Sequence, residues 1–288
     1  MSVVSRLGVV GCGLMGSGIA EVAALRGLDV TVAESSPELA AAGRARVVAS
    51  LDRGLRRGKL TEAEREQALD RLSFTHDLGE LADRQFVIEV VAENREVKTE
   101  VFRQLDKVLV DPDAVLATNT SSIPVVDLAV ATGRASHVVG LHFFNPVPVQ
   151  QLVEVVPALT TDAGTVARAR DFAVEGLGKE VIQAPDRSGF VVNALLVPYL
   201  LAAIRMVESG TARAEDVDRG MELGCAHPMG PLRLLDLIGL DTAQAVAESL
   251  YGEFKEPLYA APPLLRRMVA AAGHLGRKSG RGFYVYEG

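Results

Sequence analysis

The sequence predicts an α/β chain in which a mostly parallel sheet covered by helices is followed by a smaller all-helical domain. Three observations lead there. Up to about residue 184, short runs rich in Val, Ile and Leu alternate with longer helical patterns, the rhythm of strand–helix–strand units. The first of these runs leads straight into a glycine-rich turn and a helical pattern. After Ala184-Pro185-Asp186-Arg187-Ser188 the strand signal stops, and apolar residues recur at helical spacing almost to the end. The domains are therefore expected at 1–184 and 185–288.

Strands are expected from Arg6 to Val10, Asp29 to Ala33, Leu72 to Thr75, Phe86 to Val91, Ala114 to Thr118, Val138 to His142, Leu152 to Val156 and Glu180 to Gln183. All are short enough to be buried strands. Between them helices are expected from Met15 to Arg26, Pro37 to Arg57, Thr61 to Asp70, Val97 to Val108 and Asp162 to Gly176. Pro37 and Thr61 suit helix starts, because a proline in the first turn gives up no intrahelical bond and a threonine can cap. In the second domain, Gly189 to Glu208 is too apolar for a helix with one solvated side. Burial on most faces or a subunit contact is expected there, with a kink at Pro198.

Composition removes several classes of function. With 48% hydrophobic residues in 288, the chain can bury a full core. A net charge of −7 gives no basic footprint for nucleic acid. There is no apolar stretch of about 18 residues or more, and the first residues lack a signal-peptide order, so a cytoplasmic protein without membrane contact is expected. Cys12 and Cys225 stand apart and outside any CxxC pair, which argues against a disulfide framework or a structural metal. Both are expected to pack.

Gly11-Cys12-Gly13-Leu14-Met15-Gly16 follows the first strand and opens the first helix. GxGxxG by itself is equally a tight structural turn. Its setting is more telling: a helix N-terminus behind the loop favours a pyrophosphate, and Glu34 ends the second strand where a carboxylate can accept from ribose hydroxyls. This makes the first domain Rossmann-type. The same carboxylate would repel a ribose 2′-phosphate, so NAD is preferred over NADP, although Ser35 and Ser36 offer hydroxyls and Arg44 lies nearby in a helix.

The carboxyl ends of parallel strands hold the ligands of such sheets. Here they carry Glu93 and Asn94, then Asn119, Thr120, Ser121 and Ser122, then His142 and Asn145, while Glu154 interrupts the next apolar run. Each alone is as well explained by a helix cap or a turn. Together, on one edge, they suit the oxidation of an alcohol, with His142 as acid/base and Glu154 fixing its tautomer. His76, His137, His227 and His274 lack such surroundings. Two rival chemistries fail: Tyr251 and Lys255 have the YxxxK spacing but sit in the second domain without a TGxxxGxG loop, and Gly189 stands where a 3-hydroxyisobutyrate-type enzyme needs lysine before Asn193.

The runs Ala117-Thr118-Asn119-Thr120-Ser121-Ser122, Gly140 to Pro148 (GLHFFNPVP), Leu152-Val153-Glu154-Val155-Val156 and Gly189-Phe190-Val191-Val192-Asn193 closely resemble the 3-hydroxyacyl-CoA dehydrogenase family. The likeness extends to Gly276 to Tyr284 (GRKSGRGFY), and the chain is about the size of the short-chain, 3-hydroxybutyryl-CoA type. The resemblance implies reversible oxidation of an (S)-3-hydroxyacyl-CoA with NAD. It makes His142 the acid/base and Glu154 its partner, adds Ser121 and Asn193 to the catalytic set as the groups that hold the reacting oxygens and polarise the thioester side, gives Asn145 to the substrate, and gives Glu93 and Lys98 to the nicotinamide ribose, with Asn119 at the cofactor. It also implies a homodimer through the helical domain. Ser50 and Arg57 would take coenzyme A, within a cluster of Arg53, Arg56, Arg57 and Lys59 that otherwise suits a solvated helix end. Glu34 departs from the aspartate of many relatives. The alternatives are an L-gulonate dehydrogenase resembling lambda-crystallin and a non-catalytic NAD-binding protein.

Overall fold

The computed structural model describes residues 4–286. The chain divides into two compact units, Met1–Arg187 and Ser188–Gly288. The first unit holds an eight-stranded sheet built from β1 (Arg6–Val10), β2 (Asp29–Ala33), β3 (Leu72–Thr75), β4 (Phe86–Glu89), β5 (Val115–Thr118), β6 (Val138–Phe143), β7 (Leu152–Pro157) and β8 (Glu180–Gln183). Their order is β3-β2-β1-β4-β5-β6-β7-β8. Pairs from β3 through β6 are parallel, β6 and β7 are antiparallel, and β8 is parallel to β7. The chain leaves β1 towards β2 on one side and returns to β4 on the other, so the crevice between β1 and β4 is the switch point at which such sheets bind ligands.

The helices are α1 (Leu14–Leu25), α2 (Pro37–Arg56), α3 (Glu62–Asp70), α4 (Arg95–Val108), α5 (Val125–Ala129) and α6 (Ala163–Asp171). Local chemistry fixes their ends. Ser36 caps α2 ahead of Pro37, and Thr61 with Glu64 forms a reciprocal capping box on α3. Asn94 accepts from the Val97 amide at 3.0 Å, which starts α4 at Arg95 rather than Val97 and makes Asn94 a cap. β4 stops at Glu89, not Val91, because the Val91 amide turns to the Glu89 carboxylate at 2.7 Å. The helix expected from Asp162 to Gly176 is capped by Asp162 and changes at Phe172 to a π-helical turn, Phe172–Gly176. Phe172 stacks on Phe86 of β4, with ring centroids 4.4 Å apart, in the core under the sheet. Each buried phenyl ring contributes about 1.5–3 kcal/mol.

The second unit is helical, with α7 (Val192–Glu208), α8 (Ala214–Gly224), α9 (Pro231–Ile238), α10 (Leu240–Phe254) and α11 (Pro263–Ala270). Its apolar positions converge on a core of their own around Leu200, Leu201, Ile204, Leu235 and Leu250. α7 begins at Val192, not Gly189, because Gly189 and Phe190 adopt left-handed conformations (φ +77° and +48°). α7 is buried or half-buried over most of its surface, as expected, but leaves one exposed stripe: Leu195 is 74% exposed, and Ala202 and Met206, seven and eleven residues on, extend it. Buried Asp218 and Asp236 accept from Leu232, Arg233, Phe283 and Tyr284 amides, which ties the C-terminal segment into this core. Cys225 is exposed rather than packed, since it follows the last turn of α8. Among the described residues no helix is long and apolar enough to cross a membrane.

Candidate active site

The glycine loop follows β1 directly. Gly11 has φ +97°, and a Cβ there would lie 2.7 Å from the Val90 carbonyl oxygen; one on Gly16 would lie 2.0 Å from the Gly11 carbonyl oxygen. Those two positions need glycine because backbone meets backbone. A Cβ on Gly13 would meet nothing, so the amide edge in front of α1 is open to an anion. Leu14 is exposed and Met15 half-buried at the start of that helix. The Glu34 carboxylate, at the end of β2, accepts from the Cys12 amide and from the Ser35 amide at 3.3 Å, and Arg46 donates to the Cys12 carbonyl at 2.9 Å. Burial, and then the Glu34 charge, push the Cys12 thiol up to about 12 despite Arg46, so it is an inert packing group.

Gly11, Gly13, Glu34, Leu78, Val91 and Val101 line a cavity of about 730 Å³ in this unit. Its walls are mostly apolar, with Ser35, His76, Asp77 and Gln104 also lining it, so His76 is not the remote residue the sequence suggested; one end is a glycine turn at a helix N-terminus, and a carboxylate stands beside it. That combination fits an adenine dinucleotide. Near Glu34, Arg46 is bonded to the Cys12 carbonyl, and Arg44 is exposed on α2.

At the ends of β4 and β5 a polar network connects two turns. Glu93 Oε1 accepts from the Thr120 hydroxyl (2.6 Å), the amides of Ser121 (2.9 Å) and Ser122 (3.1 Å), and the Ser122 hydroxyl (2.8 Å). Its other oxygen is 3.4 Å from Lys98 Nζ. Burial would raise the Glu93 pKa, but the Lys98 charge and these donors outweigh it and hold the carboxyl below its ordinary value. Lys98, on α4, is only 1% exposed and also pairs at 2.7 Å with Glu89, which is fully buried. Glu89 escaped the sequence reading, although a lone acid closing the apolar run FVIE was a visible signal. Asn119 accepts from the Phe143 amide at 2.8 Å, joining the turn after β5 to β6.

The acid/base candidates meet across the antiparallel pair. His142 on β6 and Glu154 on β7 are register partners, so their side chains share one face of the sheet. Glu154 therefore reaches this edge from the beginning of a strand running the opposite way, not from a carboxyl end. His142 Nδ1 lies 2.7 Å from Glu154 Oε2, and Nε2 lies 3.1 Å from Ser121 Oγ. Glu154 is fully buried and His142 nearly so. With the carboxylate accepting from Nδ1–H, the network assigns the lone pair to Nε2, where it accepts from the Ser121 hydroxyl.

Other sequence-predicted residues are placed separately. Asn145 is exposed in the β6–β7 connection, at a cis Asn145–Pro146 bond. That connection is held by Lys179, whose buried ammonium donates to the carbonyls of Val147 (2.6 Å) and Gln150 (2.7 Å), another contact sequence reasoning missed. Ser50 is half-buried on α2, close enough to the Glu21 carboxyl to offset part of the rise in its pKa that burial causes, while Arg57 is exposed at the C-cap. Arg53, Arg56 and Lys59 are likewise exposed. In the second unit Asn193 stands half-buried in the first turn of α7. Lys255 sits past the end of α10 in a left-handed conformation, its Nζ 5.8 Å from the Tyr251 ring centroid. Among the described residues no group of three or more His, Cys, Asp or Glu side chains is arranged to hold a metal ion.

Comparison with known proteins gives this geometry its family. Residues 6–187 match the 3-hydroxyacyl-CoA dehydrogenase NAD binding domain and residues 189–286 that family's C-terminal domain. A 3-hydroxybutyryl-CoA dehydrogenase of Mycobacterium tuberculosis is 60% identical over 283 residues, 98% of this chain and 99% of the relative. Of the solved structures, FadB2 from M. tuberculosis matches with a TM-score of 0.98 at 59% identity, covering 99% of this chain and 100% of the other. The (S)-3-hydroxybutyryl-CoA dehydrogenase PaaH1 from Ralstonia eutropha matches with a TM-score of 0.92 at 44% identity, covering 99% and 100%. With both family domains matched in order along nearly its full length, the chain belongs to the 3-hydroxyacyl-CoA dehydrogenase family.

Proposed function

We propose that the chain reversibly oxidises (S)-3-hydroxyacyl-CoA thioesters to 3-ketoacyl-CoA with NAD, with 3-hydroxybutyryl-CoA as its short substrate. The observation that carries the reading is the continuous chain Ser121–His142–Glu154, joined at 3.1 and 2.7 Å. NAD, when bound, supplies the hydride acceptor. Gly11, Gly13, Leu14, Met15 and Gly16 would hold its pyrophosphate, Glu34 its adenosine ribose, and Glu93, kept ionised by Lys98, the second ribose with Asn119 close by.

For the substrate, His142 Nε2 takes the hydroxyl proton in oxidation and returns it in reduction, while Glu154 stabilises the imidazolium. Ser121, already hydrogen-bonded to that nitrogen, steers the reacting oxygen. Asn193 would help to hold the reacting oxygens and polarise the thioester side, and Asn145 would contact the substrate. The test is NADH oxidation with acetoacetyl-CoA beside longer ketoacyl-CoAs and dehydrogulonate. Turnover of the short thioester supports the reading, and inactivity on every thioester overturns it.

Two expectations belong to this reading. NADH is favoured over NADPH at least tenfold in kcat/KM, about 1.4 kcal/mol, because a 2′-phosphate would meet Glu34; equal use of both coenzymes would refute the assignment of Glu34. Arg57→Ala raises the KM for acetoacetyl-CoA at low salt with little change in kcat, since remote phosphate contacts serve ground and transition states alike. Ser50 and Arg57 lose the coenzyme A role if KM stays put.

A homodimer through the helical unit also belongs to this proposal, supported by the exposed stripe of Leu195, Ala202 and Met206 on α7. Light scattering at twice the 30.6 kDa chain mass checks it. A cytoplasmic setting fits a chain with two unpaired cysteines.

A further inference from the structure

The least economical feature of the first unit is a pair of opposite charges sealed inside it. Glu89 is fully buried and Lys98 is 1% exposed. Removing two ions from water costs several kcal/mol each, and a well-packed apolar pair of similar volume often serves stability as well or better. Stability alone therefore gives a weak account of why a glutamate and a lysine stand there.

Their position gives a better one. Glu89 is the last residue of β4 and lies in register with Val10 of β1 on one side and Thr118 of β5 on the other. Val10 immediately precedes the glycine loop, and Thr118 immediately precedes the Asn119–Ser122 turn. Glu89 thus sits beside the switch-point crevice, between the two segments that would face cofactor and substrate.

The contacts of its carboxylate lead to the Asn119–Ser122 turn, directly through Thr118 and indirectly through Lys98 and Glu93, and to the turn between β4 and α4 through Val91. Oε2 accepts from the Thr118 hydroxyl at 2.8 Å, at the root of the turn. Oε1 accepts from the Val91 amide and from Lys98 Nζ, both at 2.7 Å. The same ammonium lies 3.4 Å from Glu93, which gathers Thr120, Ser121 and Ser122. Ser121 then meets His142 at 3.1 Å. Burial raises the Glu89 pKa, and the Lys98 charge, the Lys98 and Thr118 hydrogen bonds and the Val91 amide each pull it back.

We propose that Glu89 is a positioning residue for the dehydrogenase site: its buried carboxylate anchors Lys98 beneath Glu93 and Thr118 beneath the Asn119–Ser122 turn, and so sets where Glu93 and Ser121 stand. The inference rests on the cofactor and substrate roles proposed above for Glu93 and Ser121. Glu89 itself touches neither ligand.

The experiment uses the full chain with Glu89→Gln, which keeps the shape and removes the charge, and Glu89→Asp, which keeps the charge and withdraws it by one methylene. NADH affinity by fluorescence titration, kcat with acetoacetyl-CoA, and thermal melting are measured on each. Glu89→Gln is expected to raise the NADH Kd at least fivefold and lower kcat at least tenfold, with KM for acetoacetyl-CoA within twofold of wild type. Glu89→Asp should fall between wild type and Glu89→Gln on both counts, and it decides the matter if Glu89→Gln does not fold. A purely structural glutamate would lower the melting temperature of these variants but leave the affinity of the folded fraction alone. An NADH Kd within twofold of wild type in a folded variant overturns the proposal. NADH binding needs no thioester, so this outcome is independent of whether the wild type turns one over, which tests the functional reading by itself.

Discussion

His142→Gln is expected to give a folded protein that binds NADH normally and reduces acetoacetyl-CoA about 10² to 10⁴ times more slowly than wild type. A glutamine amide can still donate to Glu154 from the interior of β6, so packing of the buried dyad suffers little. What it cannot do is carry a proton at the position of Nε2, the nitrogen that faces Ser121 at 3.1 Å. Glu154→Gln should lose less, because Glu154 reaches the reaction only through the Nδ1 contact at 2.7 Å. Steady-state NADH oxidation, with NADH affinity measured separately, distinguishes lost chemistry from lost binding. Near-native turnover by His142→Gln would overturn the mechanism.

Lys98→Met should have the largest effect on stability. It leaves the Glu89 carboxylate buried without its cation, and orphaning one member of a buried pair costs about 3–5 kcal/mol. For a chain of this size the melting temperature should fall by on the order of 10 °C. Its pH dependence has a definite sign. A carboxyl whose folded pKa is raised above the ordinary 4.5 binds its proton more tightly when folded, so stability declines as pH climbs from the ordinary value through the raised one. Removing Lys98 raises that pKa further, so the deficit relative to wild type should narrow as pH is lowered from neutral towards about 5. Thermal melts across that range check both size and direction. A deficit that is small, or that widens on acidification, would mean that the pair is not held as described.

Most of the first unit was legible because its strands are short apolar runs between well-signalled caps. Thr61 and Asp162 cap helices where the sequence placed their starts, whereas Asn94, expected at the ligand edge, and Ser36, expected beside Glu34, also serve as caps. What periodicity could not give was strand direction. An apolar run such as Leu152–Pro157 reads the same whether it pairs parallel or antiparallel, so Glu154 was assigned to the right edge for a partly wrong reason. The Glu89–Lys98 pair was hidden for a related reason: nine residues apart, one closing a strand and the other inside a helix, they become partners only after the chain turns back at Asn94. In the second unit, helical spacing located α7 but not its bare stripe, because a count of apolar residues does not say which of them find neighbours.

The antiparallel ladder that sets His142 opposite Glu154 also governs when the dyad can come apart. Their partnership is a matter of strand register, so motion in the eight-residue connection from 144 to 151 does not by itself separate them. A slip of one residue would instead send Glu154 to the other face at once. The dyad is therefore an all-or-none part, expected to open only when the β6–β7 pairing itself opens. The Nδ1 side of the dyad thus shares the lifetime of the sheet, while the Nε2 side still depends on the turn that carries Ser121.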